Sequence, residues 1–424
     1  MEHLGRFVAH DDWKALRRTH LSILLEPVLL ERGWPLEELV ARVAQGNHLE
    51  PMMAYVDEAY FSLDLGPDGA SAIDAYLRRR GWQETPRARE YLQAIRTSSP
   101  ALYEVQAVAP GAWIDVRDRC ADDPQSVRVD EQSGSRSLHR YDCFVGRVVQ
   151  ARGETMLTAG VLSLTRHAAD RVDAALRRNE SHGDETTAAV CLREWLRALL
   201  DASERPMPTL QTTDGDSLLI SRTRLLLAGT AHAAAEVARR LDAAAETGWQ
   251  RDEASVPAWT WLRDRVGASS TVLAQVKLEP DALVLETLSH KRTEAALAAL
   301  RAMLGNLVGR GRTIHEDPFQ AMEHGKHGGR ASIPPAPSPE DTAAMASAVA
   351  QFKLQHYRRT LDEKVPMLGD RSPRQCARTK QGRKQLVRWL KELENSELHQ
   401  ARGTGAPPFD FAWMWQELGL ESER

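Results

Sequence analysis

Apolar residues recur at helical spacing through the first hundred positions. Trp13, Leu16, Leu24 and Leu25 share one face, followed by Ile73, Tyr76 and Leu77, then Tyr91, Leu92 and Ile95, so residues 1–100 are predicted to form a helical domain. The segment 29–40 is similar to the opening of a helix-turn-helix, but Gly46-Asn47-His48 follows where a basic recognition helix would stand, which favours a plain helical pair. From Ala101 the period shortens to two. Alternating runs at 102–108, 113–116, 127–129, 144–149 and 156–161, parted by Pro110-Gly111, Ser133-Gly134 and Arg152-Gly153, predict a small antiparallel barrel or sheet over 101–165.

Residues 166–322 read as a second α+β domain. The stretches 209–213 and 217–227 flank Asp214-Gly215, a hairpin signal, and an alanine-rich helix follows at 231–245. A second hairpin, 271–278 with 283–288, leads into an amphipathic helix at 293–307, which predicts an antiparallel sheet backed by helices and hints at a duplication. Glycines and prolines without an apolar period mark 323–339 as a linker. Beyond it, 340–424 is predicted to be a helical module. Met345, Val349 and Phe352 outline the buried face of its first helix, and Ser372 can cap a short helix opened by Pro373. Thr379 can cap a longer helix carrying the stripe Leu386, Val387, Leu390 and Leu393. The expected fold class is therefore α+β and multi-domain: helical N-terminus, small β barrel or sheet, α+β antiparallel layer, helical C-terminal module.

Composition narrows the chemistry. A net charge of −4 over 424 residues puts no global field behind nucleic-acid or membrane binding, so any basic surface must be local. Cys120, Cys143, Cys191 and Cys376 are scattered, which supports neither a disulfide framework nor a cysteine zinc site and suits a reducing compartment. No secretory pattern opens the chain, and the most apolar run, 21–30, is interrupted by Glu26 and Pro27. The expectation is a cytoplasmic protein without a membrane partner. No nucleophile elbow and no phosphate loop after a strand is present, so no catalytic residue and no cofactor is assigned.

Local candidates remain. His315, Asp317, His324 and His327, with Glu316 and Glu323, offer imidazole and carboxylate ligands, but their spacing matches no established metal motif, which favours a solvated polar loop. Ser135, Arg136 and Arg140 could line an anion-binding or nucleic-acid-binding turn. The C-terminal module is the most distinctive. From Arg371 to Lys391 there are eight Arg or Lys and no Asp or Glu, a basic stripe that suits phosphate or an acidic protein surface. Phe409, Phe411, Trp413 and Trp415 crowd the tail and must dock somewhere, on the module itself or in a partner.

The turn Pro366, Leu368, Gly369, then Ser372-Pro373-Arg374, Ala377, Gly382-Arg383 and Leu390, resembles the C-terminal toxin-binding domain of the Xre/MbcA/ParS antitoxin group. More loosely, the order of segments and the closing Pro408-Phe409-Asp410-Phe411 and Glu417-Leu418-Gly419-Leu420 resemble uncharacterised bacterial proteins of the SEC-C-associated type, without their cysteine-rich zinc motif. The resemblance implies a non-enzymatic, antitoxin-like or adaptor protein. Its partner, a toxin-like or defence enzyme, would be bound through Leu368, Gly369, Arg371, Pro373, Arg374, Arg378, Arg383, Lys384 and Arg388 with the four tail aromatics. The alternative is a nucleic-acid-binding protein using the β segment and the basic stripe of 371–391.

Overall fold

The computed structural model describes residues 2–66, 68–122, 125–182, 186–204, 210–228, 231–252, 256–265, 268–318, 339–404 and 406–424. They form two compact units, 1–205 together with 337–424, and 206–336. The architecture is α+β, as expected. Among the described residues no helix is long and apolar enough to cross a membrane.

The first unit opens with α1 (Glu2–Val8), α2 (Asp11–Arg32), α3 (Leu36–Gln45), α4 (Leu49–Ser62), α5 (Ala72–Arg80) and α6 (Pro86–Thr97). Local chemistry sets their ends. Ser71 and Thr85 cap α5 and α6 by accepting from the amides of Asp74 and Ala88, and Gly33 closes α2 in the left-handed conformation. The sheet that follows comprises β1 (Ala101–Ala109), β2 (Trp113–Asp118), β3 (Ser126–Asp130), β4 (Cys143–Gly146) and β7 (Leu162–Leu164), in the order β3-β2-β1-β4-β7 and antiparallel throughout. β5 (Val148–Ala151) and β6 (Glu154–Leu157) pair separately, so the alternating segment is an open sheet with a side hairpin and not a closed barrel.

Helices α7 (Arg166–His182) and α8 (Thr187–Ser203) pack in this unit, and not with the expected 166–322 domain. Burial explains the placement. Val172 and Leu176 on α7 and Val190, Leu192 and Leu196 on α8 share one core with Tyr55 of α4 and with Leu102, Val145 and Leu162 of the sheet.

In the second unit, β8 (Ile220–Leu227), β9 (Trp249–Asp252), β10 (Ala258–Arg265), β11 (Ala268–Leu278), β12 (Ala282–Thr287) and β13 (Val308–Glu316) form one antiparallel sheet in the order β13-β8-β12-β11-β10-β9. α9 (Ala231–Asp242) and α10 (His290–Leu304) cover its core, built on Trp249, Trp259, Val276, Leu285 and Leu300. Among the described residues the hairpin expected around Asp214-Gly215 has one bridge, Gln211 to Ser217, with backbone bonds from Thr212 to Asp216 and from Leu218 to Leu210, whereas the second expected hairpin is the full β11–β12 pair.

Candidate functional site

The C-terminal module begins with α11 (Pro339–Thr360). Its inward face is Lys353, Leu354, Tyr357 and, just beyond the helix, Leu361, while Val349 and Phe352 stand exposed, contrary to the expected phase. The helix rotation is fixed by Tyr357, which packs tilted against Phe409 and edge-on against Phe411, and by Lys353, which pairs with Glu397 at 2.7 Å.

The turn after α11 is tightly specified. A bridge joins Val365 to Arg371, Gly369 and Asp370 both adopt positive φ, and Ser372 and Gln375 form a capping box at the start of α12 (Pro373–Cys376). α13 (Lys380–Thr404) then starts so close to α12 that a β-carbon on Gly382 would run into the Cys376 carbonyl oxygen. Gly382→Ala is therefore expected to destabilise the module by about 1–3 kcal/mol, although alanine is the better helix former, and urea denaturation of the full chain would read the loss.

This geometry turns several expected partner residues inward. Leu368, Phe411 and Trp415 are fully buried in one core with Leu386, Leu390 and Met414, and Pro373 is buried beside them. Phe409 and Trp413 pack against the same core from its edge. The aromatic tail, including α14 (Ala412–Glu417), thus folds onto its own module, because these segments bury themselves only by pooling their large apolar side chains. Among the described residues none of this core belongs to the clusters of the helices and sheet of the same unit.

What joins the module to those elements is polar. Lys391 Nζ donates to Glu104 on β1 at 2.7 Å, and Arg166 and Arg117 donate to the same carboxylate at 2.7 and 3.0 Å. Burial alone would raise the Glu104 pKa, but Lys391 and Arg166 outweigh it and hold the carboxyl well below the usual range. Burial pushes the Lys391 ammonium down against the pull of Glu104, with Arg117 and Arg166 adding repulsion. The ammonium also lies 4.9 Å from the centre of the Tyr141 ring. Around this lock, Arg388 pairs with Asp170 at 2.9 Å, Asn395 and His399 donate to Asp142 at 2.7 and 2.8 Å, and Arg402 donates to the Ser137 carbonyl at 3.1 Å.

The rest of the basic stripe divides into spent and unspent cations. Arg371 donates to the Leu368 carbonyl and to Gln385, Arg374 pairs with Asp362 and Glu417, and Arg383 donates to the Gly419 carbonyl. Arg378, Lys380 and Lys384 are exposed, and no side-chain partner holds them among the described residues. No family model matches the chain, and no curated protein matches it either.

The remaining sequence candidates lie elsewhere in the chain. Ser135 is buried, accepting from the Gly111 amide and donating to the Gln132 carbonyl, and Arg140 donates to the Arg424 carbonyl, while Arg136 lies exposed beside Gly111. His315 Nδ1 is engaged with the Ser221 hydroxyl at 2.8 Å on edge strand β13, and no group of three metal-ligating side chains gathers among the described residues. His324 and His327 lie outside the described residues. Lys380 joins the candidate site although only its place in the stripe, and no motif, marked it. Glu104, Asp142 and Asp170 were also missed. Glu104 had a signal: it shares the inward phase of β1 with Leu102, and a charge in that phase must meet a buried partner.

Proposed function

We propose that the chain is a non-enzymatic interaction protein, antitoxin-like or adaptor in kind, which recognises an acidic protein surface through the exposed cationic rim of its C-terminal module. The observation that carries this reading is the cluster Arg378, Lys380 and Lys384 at the start of α13. A helix N-terminus is the positive end of its dipole and disfavours cations, yet this one carries no acid in its first turn. Cations left unpaired where the fold disfavours them suit an external anionic partner. The adjoining turn also presents exposed Met367 and Gly369 beside Glu363 and Asp370. Those acids suit a mixed protein surface better than a polyphosphate backbone. The resemblance of the module to toxin-binding domains points the same way.

The test uses the full chain as bait in lysate of its source cells, beside the triple variant Arg378→Glu, Lys380→Glu, Lys384→Glu. A specific protein, eluted by moderate salt, is expected on the wild type and lost from the variant. Stability should hold or rise, because acids replace cations at the positive end of the helix. Equal capture by both baits overturns the reading, and capture of nuclease-sensitive material in place of a protein favours the nucleic-acid alternative.

A further inference from the structure

The end of α5 brings three unspent cations together with an uncovered indole. Arg78, Arg79 and Arg80 close the helix and are exposed, and Trp82, in the short 3-10 turn Gly81–Gln83 that follows, is 77% exposed. Among the described residues the three guanidinium groups have neither a hydrogen bond nor an ion pair, and no ring or cation covers Trp82. Arg78 and Arg80 act on Asp74 and Tyr76 only at longer range. Every acid within 72–97 is already claimed: Asp74 by Ser71 and Arg96, Glu84 by Tyr76, and Glu90 by Arg152.

The cations alone have a local reason, since a helix C-terminus is the negative end of its dipole. Trp82 has none. An indole kept in water forgoes the gain of burial, and among the described residues α5, α6 and the turn between them expose no other large apolar side chain. A partner for this corner must therefore offer negative charge and a flat aromatic face together. We propose that it binds single-stranded nucleic acid, one base stacking on Trp82 while flanking phosphates meet Arg78, Arg79 and Arg80. Residues 78–82 rise about 6–7 Å, so the three long side chains and the ring lie within reach of one bound strand. A duplex hides the faces of its bases, which selects the unpaired strand. A bilayer surface would call for a broader apolar face than one indole.

Fluorescence anisotropy of the full chain with labelled oligo-dT and oligo-U of about twelve nucleotides, and with a duplex of the same length, tests the site. At about 50 mM salt both single strands are expected to bind about tenfold or more tighter than the duplex. Trp82→Ala should weaken them about tenfold, with part of the loss restored in Trp82→Phe. Arg78→Gln, Arg79→Gln and Arg80→Gln together should lower the slope of log K against log salt by about 2. The urea midpoint of Trp82→Ala should stay at the wild-type value, as its exposure requires. The Trp82 dependence should persist in the variant Arg378→Glu, Lys380→Glu, Lys384→Glu, which keeps this test apart from that of the C-terminal rim. No binding of either single strand, equal affinity for the duplex, or unchanged affinity in Trp82→Ala overturns the proposal. So does Trp82-dependent capture on phosphatidylserine–phosphatidylcholine vesicles without oligonucleotide binding, which marks a membrane surface instead.

Discussion

Glu104→Ala is expected to cost the first unit about 3–5 kcal/mol, because it strands a buried cation pair that this one carboxylate neutralises. Arg117 is about one-third exposed and can turn to water, but the side chains of Arg166 and Lys391 are each only 8% exposed. Both would keep their charge inside with no counterion. Glu104→Gln should lose nearly as much, since shape is kept and charge is not. Lys391→Met should lose less, because Arg117 and Arg166 still answer the carboxylate and a methionine fills the vacated volume. Urea denaturation of the three variants checks the ranking. Acid gives a second readout. Glu104 has its folded pKa depressed, so its contribution is fully present above the ordinary carboxyl range and declines as pH falls from that range through the lower folded value. The gap between wild type and Glu104→Gln should therefore hold from neutral into mild acid and close only below it.

Trp415→Ala is expected to cost about 3–5 kcal/mol and to dissolve the fixed packing of the C-terminal module. Trp415 is fully buried among Leu386, Leu390, Phe411 and Met414, and its indole N–H donates to Glu394 at 3.1 Å, a carboxylate that also holds Arg424. The truncation opens a large cavity and removes a buried hydrogen bond together. Denaturation with near-ultraviolet circular dichroism measures both effects. Were the tail aromatic a partner-contact residue instead, truncation would leave stability nearly unchanged. The prediction thus separates an inward-facing tail from a recognition surface.

Much of the fold was legible because its elements bury one face each. The helices of 1–100 and the strands of 101–164 carry clear periods of 3.6 and 2, and the second hairpin, β11–β12, lies where its turn placed it. Two kinds of element escaped. Edge strand β13 reads Val-Gly-Arg-Gly-Arg-Thr-Ile-His-Glu and buries little beyond Val308, so no apolar alternation announced it. In α11, Val349 and Phe352 are the conspicuous apolar residues, but the helix turns on Lys353 and Tyr357 because their partners, Glu397 and the tail aromatics, lie far along the chain.

The site was legible in composition and not in direction. The excess of cations from 371 to 391 is plain in the sequence, but their destinations are set by acids distant along the chain, two of them more than two hundred residues away. Asp170 and Glu104 claim Arg388 and Lys391, and Glu417 claims Arg374. Only a tertiary structure separates those spent charges from Arg378, Lys380 and Lys384.

A module with its own apolar core is docked on its unit by polar contacts, leaving one cationic rim exposed. Amide hydrogen exchange of the full chain, compared between wild type and Glu104→Gln, tests it most directly. Faster exchange is expected in the variant where the two surfaces meet, at 137–143 and along the middle of α13. Protection in the core segments 361–376 and 411–420 should persist. Loss of protection across all of 361–420 together with the sheet would contradict it, since the module would then share one cooperative core with the elements it rests on.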